Sequence, residues 1–177
     1  MIEKTKFKDL LILNHKILYD KRGSFNITYK SEILNTSLNK KINFIQENKV
    51  YSKKRVLRGL HFQKNNYEQA KLVSVLKGEI FDVAVDIRKN SKTYGKYYST
   101  ILSEKSHKSL FIPRGFAHGY LTLTDEVIVS YSIDNIYSKE FEDGIPYDDQ
   151  KLKINWSQFG NNFIISEKDK NWSDFSW

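Results

Sequence analysis

A chain of 177 residues can bury a sizeable core, and residues 1–177 read as a single domain. The absence of cysteine excludes disulfides, thiolate nucleophiles and Cys-ligated metals. The net charge of +8 comes mostly from scattered Lys interleaved with acidic residues, a solvated surface rather than a nucleic-acid face. No apolar run reaches the roughly 18 residues of a membrane span and no apolar leader opens the sequence, so the expectation is a soluble cytoplasmic protein with no membrane partner.

Aromatic residues (11 Phe, 11 Tyr and 3 Trp) lean the chain toward β structure. Leu10 to Leu18 reads as a first strand, and Asp20 to Gly23 as a turn. Phe25 to Tyr29 alternates as a half-buried strand does. Arg22, beside the turn, reads equally as a phosphate grip or an exposed turn residue. Ser31 to Asn39 suits one short helix. Ile42 to Val50 suits a strand carrying Gln46 and Asn48 on one face, where amides can contact a base or sugar or simply meet solvent.

The stretch from Val56 to Lys71 places Arg58, His61 and Lys71 among β-forming residues. Arg supplies a planar fork for phosphate oxygens, His moves protons near neutral pH, and Lys can hold a developing negative charge. Together they suit proton abstraction from an anionic substrate, although a lone strand histidine is more often structural. By strict alternation Arg58 and His61 lie on opposite faces. If both touch one ligand, the strand must twist or bulge near Gly59.

Leu72 to Leu76, Lys77-Gly78 and Ile80 to Arg88 read as a hairpin. Phe81, Val83, Val85 and Ile87 form one face of its second arm. Asp82, Ala84 and Asp86 form the other, which points Asp82 toward a polar cavity. Further strands are expected over Tyr94 to Leu102, Leu110 to Pro113, Tyr120 to Leu123 and Val127 to Ile133, with Gly115 to Gly119 as a turn. Ser166-Glu-Lys-Asp169 has the pattern of a capped helix start. Many short strands and little helix suggest an all-β sandwich or jelly roll.

In order, the chain carries Arg22-Gly-Ser-Phe25, Gln46-Glu-Asn48, Val56-Leu-Arg-Gly-Leu-His-Phe-Gln63, Lys71-Leu-Val73, Gly78-Glu-Ile-Phe-Asp-Val-Ala-Val-Asp-Ile-Arg88 and Ile112-Pro-Arg-Gly-Phe-Ala-His-Gly119. With Tyr131, Glu142, Tyr147-Asp-Asp149 and Ser166 to Asp169, these blocks resemble the dTDP-4-dehydrorhamnose 3,5-epimerase family over nearly the whole length. The resemblance implies a metal-free cupin jelly roll with short peripheral helices, usually a homodimer, acting without a cofactor on a nucleotide-diphosphate sugar. It implies that His61 is the general base, Asp169 its carboxylate partner, Lys71 the enolate stabiliser and Tyr131 the acid on the opposite face. Arg22 and Arg58 match phosphate-binding positions. Phe25, Gln46, Asn48, His118, Glu142 and Lys168 match other ligand contacts, and Asp82 is a supporting candidate.

Three positions depart from the family pattern. Ile27 stands in place of a Glu that helps hold the nucleotide, which opens a GDP-linked 4-keto sugar, such as a heptose, beside the dTDP-hexose. Ser132 and Tyr147 replace a Lys and a Trp. A C3-only epimerase and a non-catalytic sugar-binding cupin are the rival readings. Related ketoisomerases place two histidines after the Arg-Gly pair, whereas here only His61 follows.

Overall fold

The computed structural model describes residues 1–177. In chain order the strands are β1 (Ile2–Lys4), β2 (Leu11–Asn14), β3 (Ile17–Asp20), β4 (Gly23–Asn26), β5 (Gln46–Lys53), β6 (Leu57–Gln63), β7 (Lys71–Lys77), β8 (Glu79–Asp86), β9 (Tyr97–Ser103), β10 (Lys108–Ile112), β11 (Phe116–Thr122), β12 (Glu126–Ile133) and β13 (Glu142–Gly144). Two short helices, α1 (Ser31–Leu38) and α2 (Glu167–Lys170), lie outside the sheets. No helix is long and apolar enough to cross a membrane.

A six-stranded sheet in the order β1-β2-β10-β7-β12-β5 faces a five-stranded sheet in the order β13-β6-β11-β8-β9. Between them Val73, Val75, Leu110, Ile112, Val127 and Val129 pack against Ile80, Ala84, Leu102 and Phe116. This is the cupin jelly roll expected from the sequence. Strand alternation then sends a second set of apolar residues to each outer face. On the five-stranded sheet, Leu57, Leu60, Phe81, Val83 and Val85 are covered by Ile145, Leu152, Ile154 and Trp156 from the C-terminal segment. On the six-stranded sheet, Leu11, Leu13, Leu72 and Phe111 are covered by Leu34 of α1 and by Ile42. Both faces of β8 are therefore buried, and Asp82 and Asp86 share the inward parity of Ile80 and Ala84.

Several local expectations are corrected. The first strand is two, β2 and β3, and β4 pairs only with β3 in a separate, largely exposed ribbon. Residues 42–45 are not strand; pairing with β12 begins at Gln46. The segments either side of Gly78 do not form a hairpin. β7 pairs with β10 and β12, whereas β8 pairs with β9 and β11, so Gly78 marks the passage between sheets. Its φ of +78° and a Cβ position 2.3 Å from the Glu126 carbonyl oxygen reserve that corner for glycine. The expected turn at Gly115 to Gly119 is mostly strand, since residues from Phe116 onward pair with β8.

Candidate active site

The cleft opens between the two sheets at one end of the barrel. Two adjoining cavities, of ≈ 320 and ≈ 240 Å³, share His61, Lys71, Tyr131 and Glu142 as lining. The six-stranded sheet contributes Gln46 and Asn48 from β5, Lys71 from β7 and Tyr131 from β12. Tyr131 stands opposite Asn48 on one side and Val73 on the other. The five-stranded sheet contributes Arg58 and His61 from β6 and His118 from β11, with His61 opposite His118.

Arg58 and His61 do line the same cleft. The β6–β11 register shifts between His118 and Tyr120, beside Gly59, which moves the next residues out of strict alternation. Gly59 has φ +119°, and a Cβ there would lie 2.6 Å from Gly119 Cα and 2.7 Å from the His118 carbonyl oxygen. A side chain at this position is excluded both by conformation and by the close approach of β11.

His61 Nε2 donates to Asp169 Oδ1 at 2.7 Å, and Asp169 Oδ2 accepts from the Gly59 amide at 3.2 Å. Asp169 arrives on α2, whose start is capped by Ser166 Oγ accepting from the Asp169 amide at 3.1 Å. Burial pushes the Asp169 carboxyl up, but the His61 and Gly59 hydrogen bonds outweigh it and hold the group below its ordinary range. The Trp172 ring packs edge-on to the imidazole, with centroids 5.9 Å apart.

Lys71 makes no ion pair, and burial lowers its ammonium pKa to about 8 against the opposing pull of Asp82 and Glu142. Burial raises the Tyr131 phenol, so it remains a proton donor at neutral pH. Asp82 is fully buried and accepts from His118 Nε2 at 2.5 Å. Glu142 accepts from Lys168 Nζ at 2.7 Å and from Tyr137 OH at 2.8 Å. Its carboxyl, pushed up by burial, is brought below the ordinary range by these two bonds. Gln46 Nε2 donates to Asn48 Oδ1 at 2.7 Å. No three His, Asp or Glu side chains converge in a way that could hold a metal ion.

Of the five arginines, Arg22, Arg88 and Arg114 are paired with Asp20, Asp86 and Asp134; Arg55 and Arg58 have no carboxylate partner, and of these two Arg58 lines the cleft. Arg22 and Phe25 lie elsewhere, on the β3–β4 ribbon. The Arg22 side chain is 89% exposed. Phe25 and Ile27 line a separate apolar groove of ≈ 220 Å³ with Leu18 and Ile33. Gln63, Gln69 and Tyr137 also line the cleft, although the sequence did not single them out as site residues. Gln63 shares strand parity with His61, which was a usable signal; Tyr137 lies where periodicity fades and offered none.

Residues 4–176 match the family model described as dTDP-4-dehydrorhamnose 3,5-epimerase. A dTDP-4-dehydrorhamnose 3,5-epimerase of Methanothermobacter thermautotrophicus is 45% identical over 170 residues, covering 96% of this chain and 91% of the relative. The crystal structure of the Bacillus anthracis enzyme with TDP and pyrophosphate bound superposes with a TM-score of 0.93 at 38% identity, covering 99% of both chains. The Legionella pneumophila dTDP-6-deoxy-D-glucose-3,5-epimerase in complex with dTDP-4-keto-L-rhamnose gives 0.92 at 40% identity, covering 97% of this chain and 90% of that one. The chain carrying this cleft therefore belongs to the dTDP-4-dehydrorhamnose 3,5-epimerase family and is an epimerase.

Proposed function

We propose that residues 1–177 act as one domain that inverts C3 and C5 of a dTDP-linked 4-keto-6-deoxyhexose in the cytoplasm. The observation that carries this reading is the placement of His61 and Tyr131 on facing sheets, with Lys71 lining the same cleft. The C4 ketone acidifies the hydrogens on C3 and C5. His61 takes one of them, held by Asp169 in the tautomer that leaves Nδ1 free to accept. Lys71 stabilises the negative charge that develops on the ketone oxygen. Tyr131 returns a proton from the opposite sheet, which inverts the centre. Solvent then reprotonates Tyr131 and deprotonates His61, and the step repeats at the second carbon. The reaction is redox-neutral and transfers no group, so it calls for no redox cofactor.

Arg58 lines the cleft without a carboxylate partner, and its terminal Nη donors suit the diphosphate. Gln46, Asn48, His118, Glu142 and Lys168 contact the remainder of the ligand. The guanine alternative opened by Ile27 is not favoured, because the relatives above are named for dTDP sugars.

The working unit in this reading is a homodimer. The β3–β4 ribbon and the residue that follows it expose Leu18, Tyr19, Phe25 and Ile27 by 53–74%, an unusual concentration of apolar surface about a two-stranded element. A second copy covers it, and Arg22 and Phe25 reach a site from that position. Proton NMR in D₂O with dTDP-4-keto-6-deoxyglucose tests the activity. Deuterium uptake at both C3 and C5 is expected; uptake at C3 alone would restrict the activity to one centre.

A further inference from the structure

Two buried polar atoms of the inner-facing sheet surface have no hydrogen-bond partner: the Tyr120 hydroxyl and Asp82 Oδ2. Both residues are nearly sealed from solvent, Tyr120 at 5% exposure and Asp82 at 0%. They stand directly opposite each other in the β11–β8 ladder, and Arg58 flanks Tyr120 on the other side. Cross-strand partners project from the same sheet face. Tyr120 lines the cleft with Arg58, His61, Lys71, His118 and Tyr131. The other Asp82 oxygen is committed to His118.

Buried polar atoms are nearly always paired, and those left over call for an explanation. A purely structural pair would close the gap, with the phenol donating to the carboxylate, and these two do not bond to each other. The Ser52 hydroxyl accepts from Arg58 Nε at 3.3 Å and lies near the Tyr120 phenol without reaching hydrogen-bond geometry to it. Burial pushes the phenol up to about 12, so it keeps its proton at neutral pH.

We propose that Tyr120 is a specificity-determining residue whose hydroxyl, with Asp82 Oδ2, forms a subsite for one hydroxyl of the sugar ring. The inference rests on the epimerase reading above. A hydroxyl donates to the carboxylate oxygen and accepts from the phenol, so one group completes both atoms. A ketone has no proton for Asp82, and a methyl group satisfies neither atom. A 4-keto-6-deoxy ring keeps hydroxyls at C2 and C3.

Tyr120→Phe removes a single oxygen. Wild type and variant are compared by thermal melting, by dTDP affinity, and by kcat/KM on the intact sugar nucleotide and on its 2-deoxy and 3-deoxy analogues. Turnover is read as deuterium uptake at C5, a centre that neither analogue alters. The variant is expected to melt no lower than wild type, because it loses an unpaired buried hydroxyl, and to bind dTDP equally well. Its kcat/KM on the intact sugar should fall roughly five- to 150-fold, with no such fall on the analogue that lacks the contacted hydroxyl. An equal fall on all three sugars, no fall on the intact sugar, or a lower melting point without sugar-specific loss overturns the subsite. Failure of wild type to exchange the intact sugar would instead overturn the epimerase reading. The subsite would then be judged by whether the variant loses affinity for the sugar nucleotide but not for dTDP.

Discussion

His61 and Asp169 are 108 residues apart and meet at 2.7 Å, with the imidazole N–H directed at a carboxylate that is only 5% exposed. The carboxylate is itself anchored by the amide of Gly59, two residues before the histidine. The same carboxylate thus fixes both the tautomer of His61 and the backbone that carries it. Asp169→Asn keeps the shape but can donate its amide N–H to the ring, which favours the wrong tautomer. Exchange at both C3 and C5 should fall by a factor on the order of 10²–10⁴, with dTDP affinity unchanged. His61→Asn should lose exchange at both carbons. Unchanged exchange in either variant, read by proton NMR in D₂O, would make the pair structural.

Lys71 gives a pH signature. Its ammonium titrates at about 8, and only the cation stabilises the enolate. On the free enzyme, kcat/KM should therefore decline as pH rises through about 8, about tenfold per unit well above it. The stability sign is opposite. The folded value lies below the unfolded one near 10.5, so between these values the unfolded chain binds more protons and stability rises with pH. Lys71→Met should abolish exchange, lowering it by at least a factor on the order of 10², while raising the melting temperature at pH 7. A lower melting temperature would show that Lys71 contributes to the fold.

Arg58 has no carboxylate to bind, so its fork is available to the diphosphate. Arg58→Lys keeps the charge but not the planar pair of donors. Calorimetry should show nucleoside-diphosphate affinity reduced roughly ten- to 150-fold, the range for a lost charged hydrogen bond. Equal affinity would mean that the second donor is unused.

Much of this architecture was legible in the sequence, for identifiable reasons. Inward-facing Asp82 was visible because a core strand does not choose an acidic face freely, and it is fully buried against His118. Parity placed Arg58 and His61 on opposite faces of β6 and so required a break only if both meet one ligand; the register shift beside Gly59 is that break. The pairing of His61 with Asp169 was not derivable, because long-range approach leaves no local periodicity; only the family likeness suggested it. The false hairpin at Gly78 has the same cause. A turn between two strands specifies a reversal or a corner, but not which sheet receives the second strand. The Tyr120 and Asp82 orphans are likewise invisible without coordinates, since an unmet hydrogen bond has no sequence pattern.

Gly59 tests that break directly. At φ +119° with β11 backbone within 3 Å of any added Cβ, Gly59→Ala must shift either strand. The strained conformation alone costs about 1–3 kcal/mol. A fall of several degrees in melting temperature is expected together with loss of exchange, because Arg58 and His61 lie on either side of the glycine. A variant as stable and active as wild type would show that the register shift does not depend on this residue.

The last prediction concerns the ribbon. Arg22 is 89% exposed and bonded only to Asp20 of its own turn, whereas the family resemblance implies a phosphate-binding role for it. If it serves a site across a dimer, Arg22→Ala and His61→Asn damage different sites of a mixed pair. The Arg22→Ala chain keeps an intact His61 and receives Arg22 from its neighbour, while the other site carries both defects. Each variant alone should be impaired, but co-refolding them one to one should restore about a quarter of wild-type exchange, since half the dimers are mixed and each has one intact site of two. Sedimentation should show a dimer that Phe25→Asp weakens. Activity in the mixture no greater than the mean of the two variants would place Arg22 outside any shared site. A wild-type monomer at working concentration would remove the dimer itself.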